Sequence, residues 1–194
     1  MILVLLNQIA EAQGIDSDRR ELDRLLAGIA RGERSALAEL YHRTRGAVYG
    51  LALSYLKGPE DAQDVMQDTF VRVWDHAPDY VSQGSPMAWI LTIARNLAKM
   101  KLRERSRFTE LDEEQWCAIP AEAPRVTPED RALLQNAMAA LGEEERRIVL
   151  LHAVAGLKHR ELAELLELPL STVLSKYHRA LKKLQIQLKG ENQL

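Results

Sequence analysis

Basic side chains are concentrated between residues 85 and 107, although the 194-residue chain has a formal net charge of −2. That segment contains six lysines or arginines and one acidic residue. At helical steps of three and four, one of its faces carries Thr92, Arg95, Asn96, Lys99 and Arg103. Cationic side chains neutralise phosphates and an asparagine amide pairs with a base edge, so this face is suited to nucleic acid. A solvated basic face without a ligand is the competing interpretation.

The other side of this segment is apolar, and we expect it to pack in a hydrophobic core. Its members at helical spacing are Trp89, Ile90, Ile93, Leu97 and Met100. The preceding loop contains Tyr80 and Gly84. An aromatic ring beside a flexible glycine is suited to holding an unstacked base.

A second basic surface follows a tight turn near the end of the sequence. A short predicted helix with Leu162, Ala163 and Leu166 at core spacing precedes the turn "ELP", and a longer helix opens at Ser171, its predicted N-cap. The longer helix carries five lysines or arginines and no acidic residue up to Gly190. Its predicted inward stripe is Val173, Tyr177, Ala180, Leu181 and Leu184. The pattern predicts a helix-turn-helix whose second helix enters the major groove, with an ordinary helical hairpin as the alternative.

A third surface is acidic and lies on the predicted helix before the basic segment. Its carboxylates fall on one helical face, at Asp61, Asp64, Asp68 and Asp75. Apolar contacts are expected from Val65, Met66, Phe70 and Val73. Carboxylates repel phosphates, so this face contacts either water or a basic protein partner.

The elements that position these surfaces are predicted to be helical. Glycine and proline are sparse, at 10 and 7 residues, and no segment has the alternation and β-branched enrichment of a strand. Breaks rich in Gly and Pro give four helices in the first half, over 18–31, 34–56, 59–76 and 85–106. Three further breaks give four more helices in the C-terminal part. The predicted fold class is all-α.

An acidic segment divides the helices into two domains. Residues 109–130 contain seven acidic residues, one arginine and three prolines, without a helical period. Such a composition is typical of an extended, self-repelling linker. The predicted organisation is an N-terminal extension, a first domain, a flexible acidic linker and a second domain, over 1–17, 18–107, 108–128 and 129–190.

Several classes of function are disfavoured by the sequence. The single cysteine, Cys117, excludes an internal disulfide and a multi-cysteine metal cage, and His152 and His159 fall on different predicted helices. The sequence has no nucleophile–base pattern, phosphate loop or metal-spaced cluster, so we expect no enzymatic activity, no metal and no cofactor. The opening "MILVLLNQIA" lacks the flanks of a signal peptide and is too short to span a bilayer, so we expect no membrane insertion and a cytoplasmic location.

Taken in order, the motifs resemble a bacterial RNA polymerase sigma factor of the extracytoplasmic-function (ECF, sigma-70-like) group. The resemblance is carried by "PEDAQDVMQDTFVRVWDHA", by "GSPMAWILTIARNLAKMKLR", by the acidic linker and by "LGEEERRIVLLHAVAGLKHRELAELLELPLSTVLSKYHRALKKL". It extends from about residue 18 to residue 188. The family implies a transcription initiation factor that binds core RNA polymerase and promoter DNA and that is restrained by an anti-sigma factor.

The resemblance also implies a role for each surface. The acidic helix would dock on the clamp helices of the polymerase β′ subunit through Asp64, Gln67, Asp68 and Phe70. The basic helix would open and read the −10 element, with Asn96 lining the pocket for an everted base and Arg95, Lys99 and Arg103 near the strand backbone. The helix-turn-helix would read the −35 element through Ser171, Thr172, Ser175, Lys176, His178 and Arg179.

The sequence departs from the family pattern in two places. Leu174 stands where the family usually has a basic residue, and a leucine there could contact a thymine methyl group or a protein partner. The first 14 residues have no counterpart in the family.

Two other functions remain open from the residues alone. A helix-turn-helix regulator that binds duplex DNA without polymerase explains the C-terminal part but gives residues 59–107 no task. A helical adaptor, or sigma mimic, that binds a partner protein and reads no DNA is the third possibility, supported by Leu174 and the weakly acidic total.

Overall fold

A computed structural model describes residues 15–82, 84–106 and 138–190. Within these ranges the secondary structure is helical and contains no strand, which confirms the predicted all-α fold class. The predicted extension and acidic linker fall mostly outside the described residues, and the domain boundaries stay predictions. The first of the four helices predicted for the C-terminal part, which precedes the "LGEEE" break, also lies mainly outside the described ranges.

Four long helices form an N-terminal unit. They are α1 (Ile15–Ala30), α2 (Arg34–Leu56), α3 (Pro59–His76) and α4 (Pro86–Ser106), with a short 3₁₀ turn at Ala77–Asp79 after α3. These bounds agree with the predicted ones to within three residues. Agreement is close because the sequence punctuates its helices: Gly32 makes the turn after α1 at φ +82°, and Pro59 sits in the first turn of α3.

The start of α4 shows the same local control. The Ser85 hydroxyl accepts a hydrogen bond from the Ala88 N–H at 3.3 Å, and the Ser85 carbonyl accepts one from the Trp89 N–H at 3.1 Å. Ser85 is therefore the N-cap, and Pro86 occupies the first helical position, where its missing N–H costs no hydrogen bond.

Three helices form a C-terminal unit. They are α5 (Glu143–Ala153), α6 (His159–Leu166) and α7 (Leu170–Gly190). The turn between α6 and α7 is closed by a hydrogen bond from the Leu168 N–H to the Ala163 carbonyl at 3.0 Å, the pattern of a Schellman C-cap. This arrangement supplies the short helix, tight turn and longer helix that the sequence predicts.

The two units share one hydrophobic core among the described residues. In the N-terminal unit Leu26, Leu51 and Ile90 are fully buried, and in the C-terminal unit Ile148 and Leu162 are equally buried in the same cluster. Burial of this kind is the main favourable contribution to folding. The core therefore holds α5 and α6 against the N-terminal helices.

Candidate nucleic-acid interface

The apolar stripe of α4 is rotated relative to the sequence prediction. Its fully buried residues are Ile90, Leu91, Ala94 and Ala98. Met100, predicted as core, is instead 50% exposed, because the small side chains at positions 94 and 98 bring that side of the helix closest to its neighbours.

On the polar face of α4, some residues are exposed to solvent and others are partly buried and hydrogen-bonded within the protein. Asn96 and Arg103 are exposed, and Lys99 is partly exposed. Thr92 is partly buried, and its hydroxyl donates to the Ala88 carbonyl at 2.8 Å, as is common for threonine within a helix. Asn96, Lys99 and Arg103 thus offer one amide and two cations along about two turns.

Arg95, predicted to lie near a DNA strand, is buried in this structure at 8% exposure. Its guanidinium donates a hydrogen bond to the Leu165 carbonyl, at the end of α6. One terminal nitrogen also lies 3.2 Å from the Asn96 side-chain oxygen and 3.2 Å from a Glu167 carboxylate oxygen. A strand could reach this guanidinium only if α6 moved away.

Lys99 also contacts the turn of the C-terminal unit. Its Nζ lies 2.8 Å from the Glu167 carboxylate, whose side chain is 62% exposed. The hydrogen bond from Lys99, with the nearby charge of Arg95, lowers the pKa of Glu167 below its ordinary value. Glu167 is therefore an anion at neutral pH, placed against the predicted −10 face.

Tyr80 does not present its ring to a base in this structure. Its hydroxyl donates to the Asp23 carboxylate at 2.7 Å, and its ring packs on Trp89 with centroids 4.9 Å apart. Burial and the hydrogen bond to Asp23 both raise the pKa of Tyr80. Tyr80 therefore ties the start of the loop to α1, which is a structural role.

The helix α7 starts one residue earlier than the sequence suggests. The Pro169 carbonyl accepts from the N–H groups of Thr172 and Val173, at 2.9 and 3.1 Å. Ser171 therefore lies in the first turn, and its prediction as the N-cap is wrong. The reason is that a proline disfavours helical backbone at the residue before it, here Leu168, so the helix begins directly after Pro169.

The reading side of α7 is open to solvent at most predicted positions. Inward-facing Val173, Ala180 and Leu184 are buried as predicted. The exposed predicted contacts are Ser171, Ser175, His178 and Arg179, and Thr172 is partly exposed. Leu174 joins them at 36% exposure, next to Leu170 at 39%, so the first two turns present an apolar strip between polar groups.

Lys176 is partly engaged by a neighbouring helix. Its Nζ lies 2.7 Å from a Glu144 carboxylate oxygen on α5, and its side chain is 23% exposed. This pair orients α5 against α7 and leaves Lys176 with less freedom to reach a phosphate than Arg179.

Glu145, on α5, holds α7 in place through an ion pair with Lys183. Its carboxylate accepts from the Gly142 N–H at 3.1 Å, as in a capping box, and pairs with Lys183 at 2.6 Å. Burial raises the pKa of Glu145, but these two partners outweigh burial, and the pKa is lowered overall. Because the folded pKa is depressed, the stabilisation is complete above the ordinary value of 4.5 and is lost as the pH falls through the folded value.

We therefore expect Glu145→Gln to lower the free energy of unfolding by about 1–2 kcal/mol at pH 7, since it removes charged hydrogen bonds. The loss should shrink towards zero below the folded pKa, where wild-type Glu145 is itself protonated. Urea denaturation at pH 7 and at successively lower pH values measures both. Glu144→Gln, on the same turn but at an exposed pair, should cost less than about 1 kcal/mol. Equal losses at all pH values would contradict the electrostatic explanation.

A cluster of aromatic rings from α5, α6 and α7 was not predicted from the sequence. The rings of His152 and His159 stack with centroids 4.6 Å apart, and Tyr177 meets both edge-on. Burial, together with the charges of His152 and His178, lowers the pKa of His159. These histidines lie on different helices, as predicted, but the turn between α5 and α6 brings them together as packing residues.

The acidic face of α3 is largely exposed. Asp64, Gln67 and Asp68 are exposed, and Asp64 and Asp61 flank Lys101 of α4 at 2.7 and 3.0 Å. The face therefore retains its acidic character beside the basic helix.

Phe70 and its neighbour Val71 differ sharply in exposure. Phe70, predicted as a polymerase contact, is buried at 6% exposure with its ring edge-on to Tyr41 at 4.9 Å. Val71 is 59% exposed and lies between the acidic positions, three residues after Asp68. The sequence signal for Val71 was its spacing from Gln67 and Asp68, which places it on the acidic face rather than on the apolar one.

Neither a metal centre nor a membrane span is found in the described ranges. No group of three or more His, Cys, Asp or Glu side chains there could hold a metal ion. None of the described helices is both long and apolar enough to cross a bilayer.

Comparison with known families matches the chain in two segments. Residues 40–108 match Sigma-70 region 2, and residues 131–184 match Sigma-70, region 4. The first segment covers α3, α4 and most of α2, and the second covers the helix-turn-helix.

Among curated proteins, the chain is similar to ECF RNA polymerase sigma factors named SigK. It is 30% identical over 173 residues to the one from Mycobacterium ulcerans, covering 85% of this chain and 92% of that protein. It is 31% identical over 175 residues to the one from Mycolicibacterium vanbaalenii, covering 84% and 88%.

Two solved structures have a similar fold. CnrH, in complex with the cytosolic domain of CnrY, superposes with a TM-score of 0.59 at 26% identity, covering 88% of this chain and 98% of CnrH. The sigma factor RpoE from Bartonella quintana, in complex with the anti-sigma factor NepR, superposes with a TM-score of 0.62 at 23% identity, covering 78% and 96%.

Proposed function

This chain belongs to the ECF group of RNA polymerase sigma factors, and we propose that its three polar surfaces divide promoter recognition between them. The observation that carries the proposal is the juxtaposition of α3 and α4. An exposed acidic face with an apolar centre lies beside a basic face that carries an asparagine. A protein that must hold both a basic protein partner and a DNA strand needs two such surfaces.

The acidic face of α3 is proposed to dock on core RNA polymerase, at the β′ clamp helices. Asp64, Gln67 and Asp68 supply polar contacts, and the exposed Val71 supplies apolar area beside them. Phe70 contributes indirectly, because its buried ring packs on Tyr41 and holds α3 in the position that presents these groups.

The basic face of α4 is proposed to hold the melted −10 element. Asn96 is exposed and offers both a donor and an acceptor to the edge of an everted base. Lys99 and Arg103 follow on the next two turns, where they can neutralise strand phosphates. Arg95 could join them only after its contact with Leu165 is broken.

The first turns of α7 are proposed to read the −35 element. Ser171, Ser175 and Arg179 are exposed along one side of the helix and fit entry into a major groove. The exposed Leu174 suits a thymine methyl group at the position where the family usually has a basic side chain.

The docking proposal is tested by charge reversal on α3. We expect Asp68→Lys to weaken binding to core polymerase by about tenfold or more, because it places a like charge against a basic partner surface. Asp79→Lys makes the same charge change at an exposed residue just after α3 and should have little effect. Fluorescence titration of labelled protein with core polymerase measures both, and equal affinities for the two variants would contradict docking through this face.

A restraining protein partner is also proposed. CnrH was solved with the cytosolic domain of CnrY bound, and RpoE was solved with an anti-sigma factor bound. An anti-sigma factor for this chain would have to cover the α3 face or the α7 face. Polymerase and promoter DNA are cytoplasmic in bacteria, so we place the protein there.

A regulator that binds duplex DNA without polymerase remains the second candidate. The exposed polar groups of α7 would serve it equally well. It assigns no task to the exposed Val71 and its acidic neighbours, which is why the sigma function is preferred.

A further inference from the structure

Lys101 belongs to the basic segment but lies on the side of α4 that faces α3. It follows Ala98 by one turn, and Ala98 is buried in a small apolar cluster with Ala62 and Val65 of α3. Lys99 and Arg103 lie about 160° away around the helix, because each residue turns it by about 100°. Lys101 is therefore outside the proposed strand-binding face, and its charge is directed at the acidic helix.

The Lys101 ammonium bridges two carboxylates of α3. Its Nζ lies 2.7 Å from an Asp64 oxygen and 3.0 Å from an Asp61 oxygen, and these two residues occupy the first two turns of α3. Burial lowers the pKa of Lys101, but the hydrogen bonds with Asp64 and Asp61 outweigh burial, and the pKa is raised overall. The ammonium is therefore charged at neutral pH.

The two carboxylates differ in exposure, and the difference gives them separate roles. The side chains of Asp61 and Lys101 are only 23% and 26% exposed, so their pair is partly shielded from solvent and anchors the ammonium. Asp64 is 64% exposed and belongs to the face proposed to dock on polymerase. Because Asp61 anchors it, the Lys101 ammonium stays beside Asp64 when a partner approaches.

A basic side chain of a partner must share Asp64 with Lys101. A partner lysine or arginine that reaches this carboxylate comes within a few ångströms of the Lys101 ammonium, and like charges at such a distance repel each other. Asp68, one turn further along α3, forms no ion pair with the described residues. The acidic face is therefore open to a basic partner at Asp68 and opposed by a fixed cation at Asp64.

We infer that Lys101 limits the affinity of this chain for core RNA polymerase by competing with the partner's basic side chains for Asp64. The inference rests on the proposed docking function of the α3 face. It makes Lys101 a specificity-determining residue that acts against binding, so the docking face is weaker than its carboxylates alone would make it. Repulsive elements of this kind help to set which partners an interface accepts.

The test measures affinity for core polymerase after the ammonium is removed. Lys101→Met keeps a long side chain without its charge, and Lys101→Gln does so with a polar end. Lys101→Arg keeps the charge, and Lys158→Met makes the same charge change at an exposed lysine of the C-terminal unit. Fluorescence titration of the labelled full-length chain with core polymerase gives each dissociation constant, and circular dichroism checks that each variant is folded.

Lys101→Met and Lys101→Gln should each bind core polymerase about threefold more tightly than the unsubstituted chain, the size expected for relief of one exposed charge contact. The gain should shrink as the salt concentration rises. Lys101→Arg and Lys158→Met should bind like the unsubstituted chain. Unchanged or weaker binding by either folded neutral variant overturns the inference, because Lys101 would then help to present Asp64 and not compete for it.

A double variant shows whether the effect passes through Asp64. In the Asp64→Asn background the carboxylate is absent, so adding Lys101→Met should give a clearly smaller gain than it gives in the unsubstituted chain. An equal gain in both backgrounds, or an equal gain from Lys158→Met, would mean that Lys101 acts only through net charge. Either result overturns the competition for Asp64.

The outcomes also separate this inference from the proposed function. If Asp68→Lys weakens polymerase binding while Lys101→Met gives no gain, docking through the α3 face stands and the role of Lys101 fails. If Asp68→Lys and Lys101→Met both leave the affinity unchanged, the α3 face is not the docking surface, and the docking proposal itself fails.

Discussion

Asn96→Ala will slow open-complex formation by about tenfold or more, while binding of the holoenzyme to closed duplex promoter stays within about twofold of the unsubstituted protein. The amide is exposed on α4, and in the proposed function its loss removes a contact that is made to an unpaired base and not to the closed duplex. A lost base contact costs about 1–3 kcal/mol, and here the cost falls on the melted state alone. Permanganate footprinting gives the rate of opening, and gel mobility at low temperature gives duplex binding.

Gln185→Ala is the matched control for Asn96→Ala, because it removes an exposed amide from a helix of the C-terminal unit. It should change neither quantity. If the Asn96→Ala variant opens promoters at the normal rate, the assignment of Asn96 to an everted base is wrong. That result would leave the proposed phosphate contacts of the other α4 residues untouched.

Arg179→Ala should weaken promoter binding by about 1–3 kcal/mol, and the loss should disappear on promoters whose −35 element is already mutated. Arg179 is exposed two turns into α7, and its Nε makes only a long contact of 3.4 Å with the Ser175 carbonyl, so the guanidinium can turn towards a base edge. Titration of holoenzyme against a panel of single-base −35 variants measures the loss.

Lys182→Ala provides the comparison, because Lys182 is exposed on the same helix but one turn further from its start. If Lys182 contacts a phosphate, its loss should weaken binding evenly across the panel. It should also reduce the slope of the logarithm of the binding constant against the logarithm of the salt concentration by about one. If Arg179→Ala behaves in the same even way, Arg179 positions the helix and reads no base.

The helices themselves were predictable because their ends are local. Ser85 with Pro86, and Gly58 with Pro59, set their own starts through caps and fixed backbone angles, and no distant residue is needed. The reading helix was predicted for the same reason. Its N-cap was misplaced by two residues, since proline and serine both favour a helix start and only the backbone decides between them.

What sequence could not predict depends on contacts between distant residues. The partner of Arg95 is a carbonyl 70 residues away, and a carbonyl has no sequence signature. The helical period placed Arg95 on the polar face, but it could not show that α6 covers that part of the face. Phe70 and Val71 show the same limit, because a one-residue difference in helical angle separates a core ring from an exposed methyl pair.

The left-handed Glu167 lies between these two cases. Its turn was recognisable from "ELP", yet nothing in that string shows that a charged residue takes the place of glycine and points at another unit. The acidic linker and the N-terminal extension, which the sequence defines by composition, lie mostly outside the described residues.

The central claim is that this chain gives core RNA polymerase its promoter specificity, and reconstitution tests it most directly. Purified full-length protein is mixed with core polymerase and a promoter library, and transcript starts are mapped. The account predicts a stable complex with starts confined to promoters that share a −10 and a −35 sequence, and loss of those starts with Asp68→Lys but not with Asp79→Lys. Salt-sensitive binding to duplex DNA without any complex with polymerase would contradict it and would favour the polymerase-independent regulator.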